Sequence, residues 1–87
     1  MWMRRISTIK TLLDTYGEDE LFETILESLV SKIKTSQEAE SLSSVSRKMM
    51  TNFKYLEYPK SKLKLISEKY SQKAKELNFR ENGISGQ

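Results

Sequence analysis

The chain has 87 residues, of which 37% are hydrophobic and 31% charged, with a formal net charge of +3 and neither cysteine nor histidine. These counts exclude a disulfide framework, a thiolate nucleophile, a cysteine-based zinc site and the histidine that most enzymes use as a general base. A chain of this length makes one domain, and because small secreted domains usually need disulfides or metals for stability, we expect this one to be cytoplasmic.

The first predicted helix covers residues 3–16 and has a narrow apolar stripe of the kind found in coiled-coil seams. The stripe consists of Trp2, Ile6, Ile9, Leu13 and Tyr16. Gly17 suits the end of this helix, and the acidic residues 18–20 suit the first turn of the next one. We therefore expect a short connection between the first two helices.

The second predicted helix covers residues 19–34, and its apolar residues span an arc of roughly 180°. They are Leu21, Phe22, Ile25, Leu26, Leu29, Val30 and Ile33. This arc is too wide for one partner helix, so we expect the second helix to be central. The excess apolar surface also favours self-association, for example as a homodimer, through an interface containing Trp2, Leu21, Ile25 and Val30.

The third predicted helix covers residues 37–56 and begins with a capping box, in which Thr35 is the N-cap and Glu38 follows three residues later. Its apolar stripe consists of Ala39, Leu42, Val45, Met49, Phe53 and Leu56, with Met50 at the edge. This pattern predicts that Phe53 and Leu56 lie in the core and that Tyr55 lies roughly opposite.

The fourth predicted helix covers residues 60–78 and starts after Pro59, which favours the first position of a helix. Its stripe consists of Leu63, Ile66, Tyr70, Ala74 and Leu77. Residues 80–87 are polar and contain two glycines, so we expect a flexible C-terminal tail after a single helical domain at 1–79.

These segments predict an all-α fold, a small bundle of about four helices. An alternative is that segments three and four form one long irregular hairpin outside a two-helix core.

No run of the sequence approaches the roughly 18 apolar residues needed to span a bilayer, so we expect no membrane span. Enzymatic motifs are absent too: we find no serine beside a suitable base, no glycine-rich phosphate loop and no metal-ligand spacing. The protein is therefore predicted to be no enzyme and to need no cofactor, metal or small-molecule substrate.

Charge is divided unevenly along the chain. Residues 1–44 contain five basic and eight acidic residues, whereas residues 45–87 contain ten basic and four acidic ones. The basic half also contains two tyrosines close to lysines, and tyrosine supplies apolar area with a polar tip at protein interfaces. We therefore predict that a partner binds Arg47, Lys48, Lys54, Tyr55, Tyr58, Lys60, Lys62 and Lys64. The alternative for the charged stripes is an ordinary solvated surface whose acidic and basic residues pair with one another.

The leading functional hypothesis is a non-enzymatic protein-interaction module, a small helical regulator, inhibitor or adaptor that docks on another protein. Such a composition is typical of small phage or bacterial accessory proteins. The alternative is an accessory nucleic-acid-binding protein whose basic 47–64 segment contacts phosphates. A helix-turn-helix within residues 36–53 is disfavoured, because the apolar spacing continues through Ser43 and Ser44 as one helix.

Overall fold

The computed structural model describes residues 2–16 and 21–83, and within them the side chains of residues 2–4, 15–16 and 82–83 lie outside the description. In these ranges the chain forms four α-helices and two short helical turns, without a strand. They are α1 (Trp2–Tyr16), α2 (Phe22–Ser31), α3 (Ser36–Met50), a 3₁₀ turn (Phe53–Tyr55), α4 (Lys60–Asn78) and a π-helical turn (Phe79–Gly83). The predicted all-α bundle of about four helices is confirmed.

The helices α3 and α4 form an antiparallel hairpin, and their interface is the most extensive in the fold. Its core contains the residues that the apolar spacing of both segments predicted, with the exception of Phe53 and Leu56. These are Ala39, Leu42, Val45 and Met49 from α3, and Leu63, Ile66, Tyr70, Ala74 and Leu77 from α4. The helix α3 runs unbroken through Ser43 and Ser44, where a helix-turn-helix would turn.

The hairpin, and not α2, is the centre of the bundle, so the prediction of a central second helix is wrong. The helix α2 packs mainly on α4 and more weakly on α1, while α1 packs mainly on α3. Phe22 and Leu26 are fully buried, and the remaining apolar residues of α2 within the described helix are only partly covered. Since its main contacts are with α4 and α1, α2 lies at the side of the hairpin and not between the other helices.

The predicted second helix also ends too late, at residue 34 instead of Ser31. The N–H of Lys32 bonds back to the carbonyl of Leu29 and the N–H of Ile33 to that of Val30, each at 3.1 Å, which closes the last turn of α2. Thr35 then has extended backbone, with φ −125° and ψ 148°, because it is the N-cap of α3. The chain must therefore leave the helical conformation before Thr35.

The N-terminus of α3 is capped by two side chains. Thr35 Oγ1 accepts a hydrogen bond from the N–H of Glu38 at 3.2 Å, as the capping box predicts. The carboxylate of Glu81 accepts hydrogen bonds from the N–H of Ser36 at 3.1 Å and from its hydroxyl at 2.8 Å. A carboxylate at a helix N-terminus is stabilised by the unpaired N–H groups there.

The predicted C-terminal tail at 80–87 begins within a described element, and its flexibility stays a prediction. Residues 80–83 belong to the π-helical turn that extends α4, and Glu81 joins this turn to the start of α3. Residues 84–87 lie outside the described part of the chain.

The stripe of α1 is correct for Ile6, Ile9 and Leu13, which are buried, but it omits Leu12, which is buried as well. The side chains of Trp2 and Tyr16 are outside the description, so their predicted places in the stripe stay predictions. No helix in the described ranges combines the length and the apolar content that crossing a membrane requires.

Two leucine substitutions test this division into core and surface. Leu63 is completely buried, whereas Leu56 is 64% exposed. We expect Leu63→Ala to lower the free energy of unfolding by about 2–5 kcal/mol, through lost burial and a new cavity. Leu56→Ala should change it by less than about 0.5 kcal/mol, because an exposed side chain leaves no cavity. Urea denaturation measures both values, and equal losses would contradict the structure.

Candidate protein-docking surface

The chain between α3 and α4 turns at Asn52. The helix α3 therefore ends at Met50, six residues before the predicted end at residue 56. Thr51 ends α3, and its hydroxyl donates a hydrogen bond to the carbonyl of Lys48 at 3.1 Å. Asn52 has extended backbone, and its Oδ1 accepts a hydrogen bond from the N–H of Lys54 at 2.9 Å. Asparagine commonly binds its own backbone two residues on in this way, and this starts the 3₁₀ turn.

The turn reverses the predicted orientation of two apolar residues. Phe53 is 86% exposed and Leu56 is 64% exposed, although the helical spacing placed both in the core. The N–H of Leu56 bonds to the carbonyl of Phe53 at 3.3 Å. Side chains three residues apart eclipse each other in 3₁₀ geometry. Phe53 and Leu56 therefore form one exposed apolar spot, which we call the apolar tip.

The same turn carries Tyr58 into the core, which corrects its assignment to the partner-binding surface. Tyr58 is only 9% exposed, and its hydroxyl donates a hydrogen bond to Asp14 Oδ1 of α1 at 3.0 Å. Its ring stacks on that of Tyr55, with centroids 6.5 Å apart. Tyr55 is half-buried and packs against the core. It therefore lies beneath the apolar tip and not on the face opposite the core, where the helical spacing predicted it.

The predicted basic residues do not form one face. Lys62 points towards α2, where its Nζ lies 4.5 Å from the centroid of the Phe22 ring in a cation–π contact. Lys54 lies in the 3₁₀ turn, between the two residues of the apolar tip, and Lys60 is the first residue of α4; both are exposed. The exposed carboxylate of Glu57 follows Leu56 directly, so these two lysines and Glu57 together give the surroundings of the tip a net formal charge of +1.

Arg47 and Lys64 line a different surface, an open groove of about 670 Å³ between α3 and α4. The guanidinium of Arg47 donates a hydrogen bond from Nη1 to Ser43 Oγ at 2.8 Å. Lys48 is exposed on α3, close in sequence to the turn.

Acidic residues of α2 pair with α4, as the alternative of internal charge pairing allowed. Lys69 Nζ lies 2.9 Å from Glu27 Oε2 and 3.8 Å from Glu23 Oε2. The hydrogen bond that Lys69 donates to Glu27 is the main reason that the pKa of Lys69 is raised. Glu23 and Glu27 are thus engaged within the bundle, and Lys69 does not contribute to the basic surface of the tip.

The predicted oligomer interface is only partly exposed. Leu21 is 54% exposed, but Ile25 and Val30 are half-buried and pack against the core of the same chain. The side chain of Trp2 lies outside the description. Self-association through these residues stays a prediction.

Within the described ranges, no group of three or more acidic side chains lies close enough together to hold a metal ion. No family model matches the chain, and neither a curated protein nor a solved structure with significant similarity was found. Function is therefore inferred from the surface itself.

The hydrogen-bonded hydroxyl of Tyr58 and the buried phenol of Tyr70 predict a loss of stability at alkaline pH. Burial and then the hydrogen bond to Asp14 raise its pKa to about 12, and burial raises the pKa of Tyr70 to about 12 as well. Both phenols titrate near pH 10 when unfolded. Their contribution is complete below pH 10 and is lost as the pH rises towards 12, because the unfolded state releases these protons first.

We expect Tyr58→Phe to remove about 1 kcal/mol at neutral pH with the hydrogen bond, and to make the alkaline decline less steep. Tyr70→Phe should also reduce the decline, and the double variant should reduce it further. Urea denaturation at a series of pH values measures these slopes. An unchanged slope in the double variant would show that other groups cause the decline.

Proposed function

We propose that this protein is a non-enzymatic interaction module that docks on another protein through the apolar tip. The observation that carries this proposal is the exposure of Phe53, at 86%, beside the exposed Leu56. Contiguous exposed apolar side chains with polar surroundings mark contact sites in small proteins. Aromatic residues are also enriched at the centres of protein interfaces.

The tip is held in place before any partner arrives. Asn52 fixes the start of the 3₁₀ turn, Tyr55 lies half-buried beneath it, and Tyr58 joins its end to Asp14 of α1. A contact loop that is already ordered loses less conformational entropy on binding, which favours affinity. This rigidity supports a role as a docking element rather than as a mere linker between α3 and α4.

Charge indicates what kind of partner fits. Lys54 and Lys60 beside the tip are complementary to carboxylates around an apolar recess, and such complementarity raises the association rate and the specificity. We infer a protein partner with an apolar pocket and an acidic rim. Occupying that pocket would make the chain a regulator, inhibitor or adaptor of the partner, acting by steric or allosteric means. A cytoplasmic location and a phage or bacterial origin stay predictions.

The alternative, nucleic-acid binding, has less support from the arrangement of the cations. Lys62 contacts Phe22, and Arg47 and Lys64 line a separate groove, so the 47–64 segment offers no continuous phosphate-binding face. Phe53 beside Lys54 could still stack on an unpaired base, as aromatic residues do in single-strand binders. The experiment below separates the two classes of partner.

The test compares Phe53→Ala with Phe79→Ala. Phe79 is 64% exposed and lies about 28 Å from the start of α4, so it is a matched control for loss of an exposed ring. The full chain is immobilised, and nuclease-treated extract of cells that naturally contain it is passed over it at low and high salt. We expect a specific protein to be retained by the wild type and by Phe79→Ala. Its retention should fall at least about tenfold with Phe53→Ala, as for the loss of an interface anchor.

Two outcomes would contradict this function. Retention that is equal for Phe53→Ala and the wild type would remove the tip from the interface. Retention that disappears after nuclease treatment would favour nucleic-acid binding instead. Circular dichroism checks that each variant is folded, which we expect because both rings are exposed.

A further inference from the structure

The open groove between α3 and α4 has a pronounced basic character. All the described residues that line it belong to these two helices. They include three cations, Arg47, Lys64 and Lys75, and one carboxylate, that of Glu68. Among the described residues, no carboxylate pairs with any of the three cations within 4.0 Å. The groove therefore has an excess of positive charge that the described part of the bundle does not neutralise.

Arg47 is oriented by a buried hydrogen-bond chain. Ser43 is 1% exposed, and its hydroxyl donates to the carbonyl of Ser67 in α4 at 2.8 Å. The oxygen of the same hydroxyl accepts a hydrogen bond from Arg47 Nη1 at 2.8 Å. One of the five guanidinium N–H groups is thus used to hold the side chain over the α3–α4 seam. The other N–H groups of the guanidinium are available for a planar acceptor with two oxygens, such as a carboxylate.

The polar groups lie along one stripe of α4. Lys64, Glu68, Ser71 and Lys75 follow helical spacing, so Lys64 and Lys75 are separated by about 16 Å along the axis. Met50 lines the end of the groove that is nearest to the 3₁₀ turn in sequence. The groove is thus long enough for several residues of a peptide, and one end of it lies close to the apolar tip along the chain.

We propose that this groove binds an acidic peptide segment of the docked partner, whose carboxylates contact Arg47, Lys64 and Lys75. The inference rests on the proposed function, since it assigns the segment to the same partner as the tip. A peptide can turn individual side-chain carboxylates towards the cations on both sides of Glu68 and away from Glu68 itself. The charges of a nucleic acid lie in its backbone, which would pass directly over that carboxylate. The apolar side chain of Met50 also suits a peptide better than a phosphate chain.

The test is a titration of the isotopically labelled full chain with a short oligoglutamate peptide, followed by nuclear magnetic resonance. We expect the amide signals of residues 47–50 and 64–75 to shift. Arg47→Gln should weaken the affinity about tenfold, as expected for loss of charge-assisted hydrogen bonds. Arg47→Lys keeps the charge but lacks the planar fork, so it should weaken the affinity by about threefold, with the charge alone retained. A short oligothymidine is titrated in parallel.

The matched control is Lys34→Gln, which removes one positive charge from an exposed site in the α2–α3 connection. It should leave the affinity within about twofold of the wild type, since Lys34 does not line the groove. The proposal is overturned if oligoglutamate shifts no groove signals, or if Lys34→Gln and Arg47→Gln weaken binding equally. Tighter binding of oligothymidine with the same groove shifts would also overturn it.

This readout is independent of the test of the proposed function. Partner capture that depends on Phe53, without any binding of oligoglutamate, would leave the docking function standing and remove the groove. Oligoglutamate binding that depends on Arg47, without any Phe53-dependent capture, would support the groove as a carboxylate site and remove the tip as the docking element.

Discussion

The packing of α3 against α4 is the contact on which the rest of the molecule depends. These two helices form the largest interface of the fold. The helix α1 packs mainly on α3, and α2 packs mainly on α4. The buried hydroxyl of Ser43 reaches the carbonyl of Ser67 across this interface. A buried hydroxyl without a partner is costly, so this bond favours one register of the two helices. The register in turn determines which cations share the groove.

A bundle this small has few apolar side chains, and the turn that joins α3 and α4 determines which of them are buried at this end. A small bundle must reverse its chain direction within a few residues, and here Asn52 stops α3 while Tyr58 returns the chain to the core. The side chain of Tyr58 is buried at this end of the bundle, and its hydroxyl donates a hydrogen bond to Asp14. Phe53 and Leu56 stay exposed on the turn. The same geometry that completes the core thus creates the proposed docking element.

The candidate surface was only partly predictable from the residues. The predicted partner-binding residues Lys54 and Lys60 are exposed, and their binding role stays a prediction. The spacing of Val45 and Met49 continues to Phe53 and Leu56, and it therefore predicts a core position for both. The signal that could have located the break is Asn52, a residue that favours turns over helix interiors. No pattern in the sequence could show that Lys62 contacts Phe22, since that contact depends on how α2 lies on α4.

Local patterns in the residues are sufficient to predict the helical class, the residues of α4, the cap at Thr35 and most of the core, because periodic spacing and capping are local properties of the chain. The central place of the α3–α4 hairpin and the capping of α3 by Glu81 are visible only in the folded molecule. The same holds for the basic residues of the 47–64 segment, which lie at three separate places: the tip, the groove and the contact with α2. These features depend on which helix faces come together, and several arrangements of amphipathic helices satisfy the same local pattern. The free energy of the whole packed core selects one of them.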